Sequence, residues 1–163
     1  QLCKLAVSFG QGLQMTNILK DIWDDQERDT CWLPRDIFTK HGFDLERLRD
    51  GDLNCSFEKG LEELLANAHH HLSNALEYTL LIPRSEIGIR RFCLWAIGMA
   101  VLTLRKLSNN KDFSDSNQVK ISRNSVKATI AISNICVKHD KVLKLLFSLI
   151  GSKIPKDKSK DNV

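Results

Sequence analysis

The stretch NILKDIWDD, from Asn17 to Asp25, places three aspartates within five positions of a segment that otherwise has the spacing of an apolar helix. Aspartate is a poor residue for a helix interior, and its carboxylate is rarely buried unless it is paired or bound to a metal. Because a helix turns about 100° and rises about 1.5 Å per residue, Asp21 and Asp25 project from nearly the same side, about 6 Å apart along the axis. Gln14 and Asn17 lie on the same side of the helix, closer to its N-terminus, whereas Asp24 points about a right angle away from that side.

We call Gln14, Asn17, Asp21 and Asp25 the polar strip. Its two carboxylates are the hard oxygen ligands that suit Mg²⁺, which keeps several waters and commonly bridges carboxylates to substrate phosphates. The two amides could hydrogen-bond phosphate oxygens or metal-bound water. The alternative interpretation is a helix end that emerges into solvent, which the following residues DDQERD fit. That alternative does not account for the two amides, which lie further back among apolar residues.

The rest of the chain predicts an all-α fold of long helices without strands. Residues 2–29 are expected to form one helix that is apolar on nearly every side and therefore central in its domain. Short helical turns are expected at PRDIF and at FDLERLRDG, and the latter is closed by Gly51. Further long helices are expected at 56–81 with Ser56 as N-cap, from about Ser85 to Leu107, and from 122 or 124 to 150, with a polar loop before the last. We expect one domain over 1–151 and a basic flexible tail over 152–163.

Composition narrows the class of protein. The 163 residues are 42% hydrophobic and 27% charged, which is typical of an ordinary globular chain. A net charge of +4 is too weak to indicate a nucleic-acid partner. The five cysteines are scattered and odd in number, so we expect reduced thiols in place of a disulfide framework or zinc site. The chain begins inside an apolar pattern without Met, and we expect it to be the rear part of a longer protein.

The segment GLQMTNILKDIWDDQERDTCWLPRD resembles the second aspartate-rich signature of the squalene/phytoene synthase family, the head-to-head type of trans-isoprenyl diphosphate synthase. Weaker similarity continues through the helix ending LLIP, the helix beginning RRF, and VKISRNSVKATI. Two features depart from the signature: Trp32 replaces the usual Tyr, and QERDTC replaces a basic, Gly-containing cluster. The matching residues are Leu13, Gln14, Thr16, Asn17, Ile18, Lys20, Asp21, Asp25, Leu33 and Pro34.

This resemblance implies the all-α terpenoid (prenyl) synthase fold and a transferase of isoprenoid biosynthesis. The implied reaction joins two prenyl diphosphates head to head through a cyclopropyl intermediate, with C15 farnesyl diphosphate favoured over C20 geranylgeranyl diphosphate. By resemblance, Mg²⁺ would be bound by Asp21 and Asp25. The diphosphate would contact Gln14, Asn17, Lys20, Lys120 and Arg123. NADPH is a further cofactor that the sequence leaves open, because no Gly-rich nucleotide fingerprint occurs. We expect a cytoplasmic location with peripheral membrane contact as an option.

Members of the family that the chain resembles carry a first aspartate-rich motif in the front half of the domain. No such motif precedes Gln1 in this sequence. We therefore expect the 163-residue chain by itself to be inactive and poorly stable. The main alternative is a non-catalytic remnant or assembly subunit of the same fold. A terpene cyclase or chain-elongating prenyltransferase is disfavoured by LQMTNILKD and WLP, and nothing beyond Asp21 or Asp25 supports an acid–base hydrolase.

Other conspicuous residues have plainer interpretations. The side chains of His69, His70 and His71 point about 100° apart on a helix and cannot share one metal ion. Trp95, Met99 and Leu102 form a stripe that is expected to pack in the core, with the lining of a prenyl cavity as the alternative. The charged residues that bracket the third helix are expected to be solvated: Arg90, Arg91, Arg105 and Lys106.

Overall fold

The structure is a computed structural model that describes residues 1–51 and 53–156. Within those ranges the chain forms eight α-helices, one 3-10 helix and no strand, which confirms the all-α prediction. The α-helices are α1 (Leu2–Lys20), α2 (Ile22–Gln26), α3 (Arg35–Lys40), α4 (Cys55–Leu81), α5 (Ile87–Asn109), α6 (Ser116–Val119), α7 (Arg123–Cys136) and α8 (Asp140–Gly151). The 3-10 helix covers Leu45–Asp50, and Gly51 closes it in the left-handed region with a φ of 69°.

The long helix α4 lies at the centre of the fold, with α1 and α5 against it. Asn54 is its N-cap, because the Asn54 side chain accepts the backbone N–H groups of Ser56 and Phe57. The expectation that Ser56 caps this helix was therefore wrong by two residues. α1 approaches α4 closely at Gly12, where an added Cβ would lie 3.1 Å from the backbone nitrogen of Leu72. One large apolar cluster joins these helices to the short ones.

The predicted helix over 2–29 is interrupted at Asp21, whose φ of −101° and ψ of 15° leave the helical region. The hydrogen-bond pattern nevertheless continues, because the Asp21 N–H donates to Asn17 O and the Asp25 N–H donates to Asp21 O. The interruption is thus a local bend between α1 and α2. α1 was also expected to be central, but it packs on one side only and leaves Val7 exposed.

The predicted final helix is interrupted as well, between α7 and α8. Ser122 caps α7 as expected, since its hydroxyl accepts the Ser125 N–H. The break follows because Arg90, at 0% exposure, donates its Nε to the Val137 carbonyl and its Nη2 to Asp140. The expectation that Arg90 is a solvated helix end was therefore wrong.

The apolar helix α5 contacts α1, α4, α6, α7 and α8 and is a core helix, as its length predicts. By length and composition alone it is the one helix of the described residues that could cross a membrane, and 44% of its apolar window is buried. Its packing accounts for its composition.

The segment predicted as a polar loop contains α6, which buries Val119 and follows the buried Phe113. The predicted basic tail begins inside the packed structure, because Ile154 is buried and Ser108 donates a hydrogen bond to the Lys153 carbonyl. Residues 157–163 of that tail lie outside the described residues.

Candidate functional site

The polar strip lies on the side of α1 that faces away from the core. The buried residues Gly12, Thr16 and Leu19 define the packed side of this helix. Gln14 and Asn17 fall between them in the sequence, and both are exposed. The strip is therefore an open wall of polar groups on the described chain, and a ligand can reach it without displacing core side chains.

Lys20 neutralises the first carboxylate of the strip. Its ammonium donates to both Asp21 oxygens, at 2.6 and 2.8 Å. Side chains of adjacent residues do not face each other on a regular helix, so the bend at Asp21 is what brings the pair together. Both side chains keep about a quarter of their surface exposed, at 27% and 29%.

The second carboxylate of the strip, Asp25, is carried by α2, and Trp23 fixes that short helix in place. The Trp23 indole N–H donates to the Phe113 carbonyl at 2.6 Å, and the two rings meet edge to face. This contact places α2 beside the segment that leads into α7. Asp24 is the α2 carboxylate that pairs with Lys120, and 4.0 Å separates Lys120 Nζ from Asp24 Oδ2. Helical spacing separates Asp24 from the polar strip.

Two hydrogen bonds hold Lys120 beside α2. The Lys120 ammonium donates to the Asn117 side-chain oxygen, and the Lys120 carbonyl accepts from the Lys106 ammonium at 2.6 Å. Asp115 caps α6 by accepting the Asn117 backbone and amide N–H groups, which hold the pKa of Asp115 below its ordinary value. The role of Lys106 could not be predicted from the sequence, because it depends on a contact between distant segments.

The loop before α6 is anchored to α4 by an ion pair between Lys111 and Glu62. The hydrogen bond from this ammonium to Glu62 raises the pKa of Lys111 above its ordinary value, so the lysine stays charged. Arg123 begins α7, three residues after Lys120, and is exposed. Within the described residues it forms no ion pair with the polar strip. The structure therefore brings Lys20 to the strip carboxylate Asp21 and Lys120 to the neighbouring Asp24, but it brings Arg123 to neither.

The two carboxylates of the polar strip could supply only part of the coordination shell of a divalent cation. No group of three or more His, Cys, Asp or Glu side chains in residues 1–51 and 53–156 could hold a metal ion together. Two accessible carboxylates one turn apart are compatible with Mg²⁺, which keeps waters and shares substrate phosphates. Lys20 occupies the Asp21 oxygens in the chain as it stands, so a cation would have to compete with this ammonium.

The three consecutive histidines do not converge on a metal. The ring of His69 stacks on Phe147 and lies beneath Gly151. Burial lowers the pKa of His69, with a smaller contribution from nearby Lys156. The ring of His71 shares a hydrogen bond with the Ser8 hydroxyl of α1 at 2.7 Å. These rings join helices in the structure.

The apolar stripe of α5 divides between two surroundings. The Trp95 indole N–H donates to the Asn134 side chain of α7. Leu102 instead lines an apolar cavity of about 270 Å³ between α5, α7 and α8. All five cysteines are free.

Comparison with known proteins identifies related sequences. The profile of the family described as squalene/phytoene synthase matches residues 1–125. Phytoene synthase of Thermus thermophilus is 50% identical over 63 residues, which cover 39% of this chain and 22% of that protein. Squalene synthase of Schizosaccharomyces pombe is 29% identical over 157 residues, 92% of this chain and 32% of that protein. Squalene synthase 1 of Arabidopsis thaliana is 31% identical over 107 residues, 64% and 26% respectively. The chain thus spans less than a third of these relatives.

Proposed function

The chain belongs to the squalene/phytoene synthase family, and from this premise we propose that it supplies one wall of a site for Mg²⁺-dependent, head-to-head condensation of two prenyl diphosphates. The observation that carries the proposal is the polar strip, which is open to ligand. The Lys20 ammonium lies on its carboxylate Asp21, and the Lys120 ammonium lies 4.0 Å from the neighbouring Asp24. Carboxylates beside fixed cations form the arrangement that a divalent metal and a diphosphate require together.

Each group of the strip has a role in this proposal. Asp21 and Asp25 hold Mg²⁺, which supplies Lewis-acid stabilisation of the departing diphosphate when it is bound. Gln14 and Asn17 donate amide hydrogens to phosphate oxygens from the exposed side of α1. Lys20 exchanges its hydrogen bonds with Asp21 for contacts with the diphosphate, so that its charge stays in the site when the cation arrives.

Lys120 lies 4.0 Å from Asp24 of α2, where Asn117 and Lys106 hold it. We assign Lys120 to a second side of the diphosphate, and Arg123 to an outer contact. A carbocation formed by loss of diphosphate survives only where water is excluded. Because the strip is open in the 163-residue chain, we expect this chain alone to bind diphosphate and metal without turnover.

The relatives are named both squalene and phytoene synthases, and these names support prenyl diphosphates as the proposed substrate class. We propose farnesyl diphosphate, with 15 carbons, ahead of the 20-carbon geranylgeranyl diphosphate, on the basis of the sequence resemblance. Reduction of the intermediate by NADPH, a cytoplasmic location and the identity of partner segments stay predictions.

The site is tested by titrating the chain with Mg²⁺ and inorganic diphosphate in a calorimeter. We expect the double variant Asp21→Asn/Asp25→Asn to weaken Mg²⁺-dependent diphosphate binding by at least about tenfold, because it removes both anionic ligands. Asp36→Asn is the matched control, since Asp36 is an exposed aspartate in the first turn of another helix, α3. Equal binding by parent and double variant would contradict the site.

Activity is tested with the full gene product, which is offered farnesyl and geranylgeranyl diphosphate with Mg²⁺ before product analysis by mass spectrometry. Formation of a head-to-head C30 or C40 product supports the proposed reaction. Binding of diphosphate without any condensation product favours the alternative, a non-catalytic member of the family.

A further inference from the structure

The outer surface formed by α7 and α8 carries exposed apolar side chains that the core does not use. On α8 the exposed residues are Val142, Leu145 and Leu149, and the last two are 59% and 58% exposed. Their spacing of three and four residues places them on one side of the helix. On α7 they are matched by Ile132 and by Ile135, which is 75% exposed. We call these five residues the apolar face.

The apolar face continues into the interior of the protein. The cavity of about 270 Å³ between α7 and α8 has an almost wholly apolar lining, and Ile132 belongs both to that lining and to the face. Leu146 and Ile150 line the cavity from α8. A continuous apolar surface of this kind is uncommon on a monomeric soluble protein and marks an interaction site.

The charge of the chain is concentrated beside this face. Residues 138–156 contain five lysines and one aspartate, so they carry a net charge of +4, equal to that of the whole chain. Asp140 is engaged by Arg84 and Arg90, and Lys144 pairs with Glu77. Exposed lysines therefore remain at both ends of α8. They are Lys138, Lys141, Lys153 and Lys156.

We propose that the apolar face of α7 and α8 docks on an anionic lipid bilayer, with the leucines of α8 in the acyl boundary and the lysines at the headgroups. An exposed apolar stripe flanked by lysines is the pattern of helices that lie in a membrane interface. A second copy of the chain is the weaker occupant, because a symmetric contact would bring the two sets of five lysines together. The proposal goes beyond the condensation reaction and does not depend on it.

The proposal is tested by sedimenting the 163-residue chain with vesicles of phosphatidylcholine alone and with vesicles in which one lipid in three is phosphatidylserine. We expect binding to the anionic vesicles only. It should weaken by about fivefold for each of Lys138→Gln and Lys141→Gln, since a lysine near an anionic surface contributes about one kilocalorie per mole. High salt should have the same effect as these variants.

The apolar contribution is tested with Leu145→Ser/Leu149→Ser, whose side chains are exposed and not required by the core. The matched control is Leu2→Ser/Val7→Ser, a pair of equally exposed apolar residues on α1. We expect the α8 pair to lower the bound fraction at least about tenfold, by loss of buried hydrocarbon, and the α1 pair to leave it unchanged.

Three results would overturn the proposal: no binding to anionic vesicles, equal loss in the α8 and α1 double variants, or binding that does not depend on lipid charge. Sedimentation velocity on the same protein variants, without vesicles, measures whether the chain forms a dimer. A concentration-dependent dimer that the Leu145→Ser/Leu149→Ser variant abolishes would assign the face to self-association and would also refute lipid docking.

Discussion

The buried guanidinium of Arg90 offers the sharpest test of what holds the fold together. It donates to the carbonyls of Val137 at 2.9 Å and Ile82 at 2.8 Å, and more weakly to Leu80 at 3.5 Å. Its remaining bond goes to Asp140 at 2.5 Å. One side chain therefore ties the end of α4 and the junction of α7 and α8 to α5.

Removal of the counter-charge is the decisive perturbation. In Asp140→Ala the guanidinium of Arg90, which is 0% exposed, remains buried without its anion. Removing one partner of a buried ion pair costs about 3–5 kcal/mol, and we expect the lower end here because Asp140 is partly exposed. Asp140→Asn keeps one acceptor oxygen and loses the charge, so a smaller cost of about 1.5–3 kcal/mol is expected.

Arg84→Met is the matched control, because Arg84 pairs with the same carboxylate at 2.6 Å but is 63% exposed. Exposed ion pairs contribute at most about 1 kcal/mol. The double variant Arg90→Met/Asp140→Ala should cost less than the sum of its single variants, since it strands no charge, with a coupling energy of up to about 3 kcal/mol.

The assay is urea unfolding followed by far-ultraviolet circular dichroism, with the free energy of unfolding compared at equal slope. If Asp140→Ala reduced that free energy by less than about 1 kcal/mol, or no more than Arg84→Met, the buried pair would not be the tie that we describe. Asp140→Asn keeps the test usable if the alanine variant fails to fold.

Four further predictions concern pH and packing. Burial raises the pKa of Asp140, but the bonds from Arg84 and Arg90 have the larger effect and hold that pKa below the ordinary 3.8. The stabilisation by this carboxylate should therefore be complete above pH 3.8 and be lost as pH falls through the pKa of the folded state. Urea unfolding at several pH values measures this loss, which should be absent in Asp140→Asn. Burial lowers the pKa of His69 below 6.5, so the unfolding free energy should decline as pH falls below that value, with a shallower decline in His69→Gln. Gly60→Ala should cost about 1–3 kcal/mol in thermal unfolding because its Cβ would lie 2.7 Å from the Phe38 ring. A helical glycine in open space, Gly10, should instead gain about 0.5–1 kcal/mol on replacement by alanine.

The long helices could be predicted because apolar spacing and capping residues are local signals. α4 ends at Leu81 and Ser122 caps the start of α7, as expected. The break between α7 and α8 could not be predicted, because its cause, Arg90, lies some 47 positions away from the carbonyl that it captures. An arginine next to a helix end is usually solvated, so composition gives no warning of burial.

The candidate site shows the same division between local and distant causes. Helical spacing placed Asp21 and Asp25 on one side of a helix, and the bend at Asp21 was signalled only by the low helix propensity of aspartate. The proximity of Lys120 to Asp24 required the contact between Trp23 and the Phe113 carbonyl, which joins residues 90 positions apart. The spacing of residues within one helix cannot indicate a contact between such distant segments.

The two sides of α1 separate stability from binding in a way that makes the site testable. Gly12, Thr16 and Leu19 hold α1 against the core, whereas Asn17 is exposed on the opposite side. Substitutions at exposed positions away from caps and networks usually change stability by less than about 0.5 kcal/mol. Asp21 adds only a partly exposed pair with Lys20, so its replacement should cost little more. A loss of diphosphate binding in strip variants that unfold like the parent therefore reports the chemistry of the strip, and a loss that follows unfolding would remove the evidence for a site there.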